Sequence, residues 1–426
     1  MGATDNLTTW SPGTKIAFRF LFVYFILYIF PFPIDVIPQA SLWISGRDVW
    51  NGLVVFSGKH VLHLDSDITV LPNGSGDTTW NYVQLVVFAS LSFGITLIWS
   101  LVDRKRANYA SLYFWLIVAL RYYLAVALMG YGFIKIMKSQ FPFPSLDRLS
   151  DTYGASSPMG LLWTFMGYSV SYNFFTGLGE ALGGFLLFFR RTKMIGTFVN
   201  LAVVSNVVML NFSYDVPVKL FSIHLLLINL FIMLPDLEQL TDFFIRHRAT
   251  TPAPIGPLFS NTRWRLTHGI GKGVFIAYVV VFGLYGGYQS YKLYGDYAVE
   301  TPLYGKYSIE RQVINADTIA AVDGNTRRWK EISSNRGGIA SVEYMDGAKM
   351  YFRVSADTVL KKMKMWSGDS TTAYRFNYDQ QGDMLFLRGE VFKDSVFLEV
   401  RRTTNPNDML LVSRGFHWIN EYPYNQ

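Results

Sequence analysis

The stretch Ser111–Ile136 reads SLYFWLIVALRYYLAVALMGYGFIKI, and its reading decides the fold. It holds no acidic residue and only two basic ones, Arg121 and Lys135. A bilayer core about 30 Å thick needs roughly 20 mostly apolar residues per helix, so this segment is expected to span a membrane. Outward from it, similar runs occupy Ile16–Ile34, Tyr82–Val102, Thr176–Phe189, Met194–Phe212, Pro217–Leu234 and Gly273–Tyr291, giving about seven spans. Ser11-Pro12 reads as an N-cap followed by a proline in the first turn, and Pro31-Phe32-Pro33 ends the first helix. No small-residue cleavage site follows, so that helix is expected to be retained. Thr176–Phe189 is too short alone and must borrow from Met159–Phe175, whose earlier part, after Ser157-Pro158, is expected to be interfacial or re-entrant.

Composition agrees. Of 426 residues, 50% are hydrophobic, 17% aromatic and only 16% charged, against roughly 25% charged in soluble domains. The absence of cysteine excludes disulfides, thiolate nucleophiles, iron–sulfur clusters and cysteine-ligated zinc or haem. The net charge of +7 does not point to nucleic acid, because the basic residues fall in short runs beside apolar segments. From Glu300 onward, 17 basic and 16 acidic residues crowd into less than a third of the chain. A boundary is therefore placed near Asp296, with a transmembrane domain over 1–296 and a β-rich domain over 297–426.

In the latter, Ala340–Tyr344 and Lys349–Val354 flank an Asp346-Gly347 hairpin turn. Ala373–Tyr378, Met384–Leu387, Val396–Arg401 and Met409–Ser413 read as further strands. The expected fold class is a polytopic α-helical membrane bundle followed by a soluble antiparallel β-domain, a meander or small barrel.

Basic residues orient the bundle. With the N-terminus inside, inner segments carry Lys15, Arg104, Lys105, Arg106, Arg190, Arg191, Lys193, Arg246, Arg248, Arg263, Arg265 and Lys272, while outer loops carry only Arg47, Lys59, Lys138 and Arg148. This places the N-terminus in the cytoplasm of a bacterial inner membrane and the β-domain in the periplasm.

Charge inside hydrocarbon costs at least a few kcal/mol, so it usually has a partner or a task. Arg121 and Glu180 lie at similar depth, roughly 15 Å at 1.5 Å per residue, and are expected to pair, either as a structural ion pair or as the support of a pocket. Lys135 lies within about 40° of the Arg121 face, with Gly132 between them. Lys135, Asp215, Lys219 and His224 could line one outward-opening cavity, with Tyr131 and Gly132 in its wall. In that reading Lys135 and His224 are the candidate proton-transfer groups. The plainer alternatives are lysines snorkelling to the interface and a histidine hydrogen-bonded between helices. Asn200, Asn206 and Asn211 read as interhelical contacts. His60 and His63 have the spacing of a metal pair without a third ligand nearby, and Gly269–Gly273 lacks the spacing of a phosphate loop, so no metal or nucleotide is expected.

Gly132-Phe133-Ile134-Lys135, then Glu180-Ala181-Leu182-Gly183-Gly184-Phe185-Leu186-Leu187 running into Arg190-Arg191, resembles the DoxX-like membrane family, with a core at about 110–235. The layout is similar, more distantly, to the membrane domain of the vitamin-K-dependent carboxylases, whose Gly-x-x-Lys lysine acts as a base on a quinol. What the resemblance implies is quinone-linked chemistry, with a quinone as cofactor, Lys135 as the base, and Tyr122, Tyr123 and Tyr131 as walls. Two functions are weighed: a quinone-linked oxidoreductase or a subunit of one, and a non-enzymatic envelope protein whose β-domain docks a protein partner. A small-solute or lipid transporter is a third.

Overall fold

The structure is a computed structural model describing residues 9–37, 46–65, 68, 70, 73–251, 261–301, 303–368, 373–404, 408–421, 423 and 424. The chain forms two compact units. One comprises the residues up to Ile136 together with Phe174–Gly286, the other Met137–Asn173 with Gly287 onward.

The first unit is helical, with α1 (Pro12–Ile29), α2 (Gly46–Phe56), α3 (Thr79–Val102) and α4 (Ala110–Ile136). Most of α7 (Val170–Leu187) follows, then α8 (Lys193–Ser213), α9 (Lys219–Met233), α10 (Leu237–Phe244) and most of α11 (Thr262–Tyr294). Among the described residues six helical segments are long and apolar enough to cross a membrane: Pro12–Val36, Thr79–Val102, Ala110–Ile136, Lys193–Ser213, Lys219–Phe244 and Thr262–Tyr294. The seventh expected span is α7. Its 18 residues reach about 27 Å, and it carries Glu180 in mid-helix. It borrows six residues before Thr176, as its short apolar run required. The Ser11 hydroxyl caps α1 by accepting from the Thr14 amide at 3.1 Å, and α1 ends just before the Pro31–Pro33 segment. Gly269–Gly273 lies inside α11, so it is helix and not loop.

Helices α4 and α7 run antiparallel at very close range. A Cβ added to Gly132 would sit 2.7 Å from both the Ala181 nitrogen and the Gly177 oxygen, and one added to Gly184 would sit 2.8 Å from the Ala125 oxygen. Only glycine lets the backbones meet this closely, the small-residue packing that joins helices where lipid supplies no hydrophobic drive. The opposite face of α7 meets α8, where Gly183 receives Asn200, whose Nδ2 donates to the Gly183 carbonyl at 3.3 Å. Asn211 Nδ2 donates to Ser222 Oγ of α9 at 3.0 Å, so both asparagines do join helices. Helix α11 lies at the periphery and packs inward through Phe275, Ile276 and Val279, with Gly283 set against the Phe133 ring.

The second unit contains a closed antiparallel barrel: β1 (Gly305–Ile314), β3 (Trp329–Ser334), β4 (Ile339–Tyr344), β5 (Lys349–Asp357), β6 (Lys362–Trp366), β7 (Ala373–Gln381), β8 (Met384–Val391) and β9 (Asp394–Thr404). Each strand pairs with the next, and β1 pairs with β9 to close the ring. The two-residue β2 (Asp317–Thr318) only extends β1 through a tight turn, with Asn315 and Ala316 at positive φ. Gly347, at φ 84°, supplies the expected Asp-Gly turn between β4 and β5. Alternate residues such as Val342, Phe352, Val354, Met365, Phe376, Leu387, Leu398 and Val400 fill the interior. They leave a void of only about 20 Å³, room for a water and no more. A small closed barrel is thus filled by its own side chains. Met409–Ser413, read from the sequence as a strand, instead contains the one-turn helix α12 (Leu410–Ser413).

Residues 137–173, expected to belong to the membrane domain, pack with the barrel unit. Here α5 (Leu146–Ser150) is held by Asp147, whose Oδ2 accepts from Ser341 Oγ at 2.7 Å and Asn335 Nδ2 at 3.3 Å. Asp296 accepts from Lys138 Nζ and from the Phe143 amide. Helix α6 (Pro158–Tyr168), the interfacial or re-entrant candidate, ends at Ser169, whose extended backbone separates it from α7.

The α4–α7 contact makes a direct prediction. Gly132→Ala forces two backbones apart and should destabilise the detergent-solubilised protein by about 1–3 kcal/mol. Gly130→Ala, where an added Cβ meets nothing within 4 Å, should leave the thermal midpoint unchanged or slightly raised.

Candidate functional site

The glycine contact has an electrostatic consequence. With no side chain on Gly177, Lys135 lies directly over α7, its Cβ within 2.8 Å of where a Gly177 Cβ would be. Glu180 follows one turn later on the same face. Lys135 Nζ donates to Glu180 Oε1, and the two residues are 6% and 3% exposed. This corrects the expected Arg121–Glu180 pair. The carboxylate's partner is the lysine, because the Gly132–Gly177 contact sets Lys135 beside Glu180 and leaves Arg121 level with Leu187, two turns further along α7.

Arg121 does other work. Its Nε and Nη2 donate to the Leu187 carbonyl at 3.1 and 2.6 Å. The last carbonyls of a helix lack intrahelical donors, and a cation there also opposes the negative end of the helix dipole. Arg121 is therefore a side-chain cap on α7.

The Lys135–Glu180 pair is incompletely satisfied. Glu180 Oε2 is buried with no hydrogen-bond partner, and Lys135 uses one of its three donors among the described residues. A buried acceptor without a donor costs roughly 1–3 kcal/mol, more when charged. The pair can therefore accept and donate further bonds.

A tyrosine-rich tract adjoins it. Tyr131, one turn from Lys135 on α4, lies within electrostatic reach of Glu180 and Tyr28. The rings of Tyr28 and Tyr123 are 6.5 Å apart. Beyond them Tyr28 stacks on His224, with centroids 4.2 Å apart and planes 8° from parallel. His224 Nδ1 contacts the Leu220 carbonyl at 2.6 Å, and Nε2 contacts the Tyr24 hydroxyl at 2.8 Å. A carbonyl only accepts, so Nδ1 carries the hydrogen, and in the neutral ring Nε2 accepts from Tyr24. Both ring nitrogens are occupied, which is the plainer alternative weighed for this histidine.

The remaining expected residues lie elsewhere. Lys219 pairs with Asp215 at 2.8 Å and lies 4.0 Å from Asp77. The Asp77 carboxylate caps α9 by accepting from the Lys219 and Leu220 amides at 2.8 and 2.9 Å. Asp215 and Lys219 thus belong to a helix-start cluster, and the four-residue cavity of Lys135, Asp215, Lys219 and His224 resolves into three separate local arrangements. Tyr122 turns away from Lys135 toward Phe188 and Phe275, at 5.3 and 5.7 Å. The sequence reading did not single out Tyr28, and Asp77 was passed over; its position just before the capping residue Thr78 gave no sign that it serves a different helix.

Comparison with known proteins adds little beyond this geometry. No family model matches the chain, and no solved structure matches it. It is similar to the uncharacterized protein YwoB of Bacillus subtilis (strain 168), 29% identical over 126 residues, which is 29% of this chain and 79% of that protein. The likeness spans most of a shorter protein.

The ion pair is testable by charge removal. Lys135→Met strands a buried carboxylate and should cost about 3–5 kcal/mol of stability, while Lys135→Met combined with Glu180→Leu should recover most of the loss. A thermal-melt series in one detergent distinguishes these outcomes. Equal destabilisation by the single and double variants would show that the two side chains do not form a pair.

Proposed function

We propose that this chain is a multi-pass bacterial inner-membrane protein that binds a quinone or quinol in its helical unit, with the Lys135–Glu180 pair as the proton-exchanging group. The observation that carries the reading is the buried Glu180 Oε2, which has no hydrogen-bond partner among the described residues, beside Lys135. A quinone oxygen needs a hydrogen-bond donor in its oxidised form and a proton acceptor in its reduced form. As the ammonium, Lys135 can supply the first, and as the carboxylate, Glu180 can supply the second. Tyr28, Tyr123 and Tyr131 would form aromatic walls, replacing the Tyr122 of the sequence reading. The DoxX-like resemblance of the Gly132–Lys135 and Glu180–Leu187 segments supports the same chemistry. Counting α7 as a crossing gives seven spans. With the basic clusters inside, the N-terminus is then cytoplasmic and the barrel periplasmic.

Titration of the full-length protein in detergent with a short-chain quinone, followed by quenching of intrinsic fluorescence, tests this. Saturable binding should weaken about tenfold or more in the Lys135→Met, Glu180→Leu double variant. Absence of binding to the natural sequence, or equal binding by the double variant, would sink the proposal.

A docking role for the β-domain is supported by its filled interior. A barrel with room for only a water can act on a partner through its outer surface alone. Partners that co-purify with the full chain should be lost when 297–426 is deleted. Their persistence on the truncated chain would place the contact in the membrane helices.

A further inference from the structure

The outer surface of the barrel is unevenly neutralised. Around β1, β3, β4 and β9, cations meet carboxylates on neighbouring strands, as in Lys306–Glu331, Lys330–Glu343 and Arg401–Glu310. The face formed by β5–β8 differs. A groove of about 550 Å³ there is lined by Lys362, Lys364, Arg375 and Arg388. All four are exposed, and none of them forms an ion pair among the described residues.

Strand register sets the groove in two rows. Ser355, Lys364, Arg375 and Glu390 stand side by side in the first, and Asp357, Lys362, Asn377 and Arg388 in the second. Lys364 and Arg375 are thus direct cross-strand neighbours, a like-charge placement that costs stability in the barrel alone. The two carboxylates, Asp357 and Glu390, stand at opposite corners. Asp357 Oδ1 already accepts from the Val359 and Leu360 amides, at 2.9 Å each. Aromatic rings steady two of the cations: Lys364 Nζ lies 5.3 Å from the centre of the Trp366 ring, and Arg388 Cζ lies 5.3 Å from that of Phe397.

A second observation adjoins the first. The turn between β5 and β6 joins Asp357 to Lys362, both of which line the groove. That turn presents Val359 and Leu360 at 87% and 63% exposure. An apolar anchor beside charged positions is the make-up of a protein–protein contact.

We propose that this groove receives an extended acidic segment of a partner protein, with an apolar residue of that segment against Val359 and Leu360. The proposal rests on the docking reading above and gives it a surface and a ligand chemistry. Alternate residues of an extended chain are roughly 6.7 Å apart, the same step that separates Lys362 from Lys364 along β6. Carboxylates at every second position of the segment therefore meet successive rows. Arg375 and Arg388 can each donate two parallel bonds to a carboxylate. The corner carboxylates repel a uniformly anionic polymer or a flat anionic bilayer, whereas a peptide can set neutral residues against them.

The test uses the full-length protein in neutral detergent and a fluorescein-labelled peptide of alternating Glu and Ser that ends in Leu-Leu, followed by anisotropy. The peptide should bind saturably, and more weakly as salt is raised. Lys364→Gln combined with Arg375→Gln should weaken binding about tenfold or more, as should Gln in place of every Glu of the peptide. The same double variant should keep or raise the thermal midpoint, since it removes a like-charge pair. Val359→Ser with Leu360→Ser should weaken binding severalfold. Absence of saturable binding, or equal binding by the Lys364→Gln, Arg375→Gln variant, would overturn the proposal. Polyphosphate binding more tightly than the peptide would overturn it by assigning the groove to a free polyanion. Because the chain lacks cysteine, Thr358→Cys places a single environment-sensitive dye on the turn. In phosphatidylglycerol nanodiscs its emission should shift to the blue only when the peptide is added, and a shift from the lipid alone would give the turn to the bilayer. The two readings fail separately. Partners that survive deletion of 297–426 count against docking itself. Partners lost on that deletion but kept by the Lys364→Gln, Arg375→Gln variant count against this groove alone.

Discussion

The architecture of the helical unit depends on how closely α4 and α7 approach. Gly132, Gly177 and Gly184 let two backbones touch where any side chain would hold them apart. Everything chemically unusual nearby follows from that contact. Lys135 is pressed over α7, Glu180 is shut away from solvent, and the two form a pair. Arg121 is placed at the far end of the same contact, against the last carbonyl of α7. One geometric constraint thus assigns two basic residues of a single helix to different tasks, one to a carboxylate and one to a helix terminus.

The polar groups of this unit sort by how completely they are satisfied. Asp77, Asp215 and Lys219 build a closed cap at the start of α9, and His224 has both ring nitrogens engaged. These groups explain their own presence structurally. Glu180 Oε2 does not, because it is buried with no hydrogen-bond partner among the described residues. A buried polar atom left open in this way needs an explanation, which is why the functional reading rests on it.

The barrel shows the same logic in aqueous form. Its strands alternate apolar and polar residues, and its interior closes on itself with almost no void. The sequence reading found the Asp346-Gly347 hairpin and three further runs that lie within strands. It missed β1, β3 and β6, whose apolar runs are broken in sequence by outward-facing charged residues such as Glu310, Lys330 and Lys364. It took Met409–Ser413 for a strand because a short apolar run carries no period of its own. Ring closure between β1 and β9 joins residues some ninety positions apart, a pairing no local pattern contains.

The sequence by itself determined the division of labour along the chain. Apolar runs of bilayer length make membrane helices, and alternating residues between turn signals make an antiparallel β-domain. Both are local consequences of period and length, legible without any contact map. It also marked Arg121, Lys135 and Glu180 as the charges that need an explanation. Only the tertiary structure decided which of them meet. Depth counted along each helix put Arg121 level with Glu180, but the register of the two backbones sets Arg121 against Leu187, two turns beyond, and Lys135 against Glu180, and that register is fixed by three glycines acting together across separate helices.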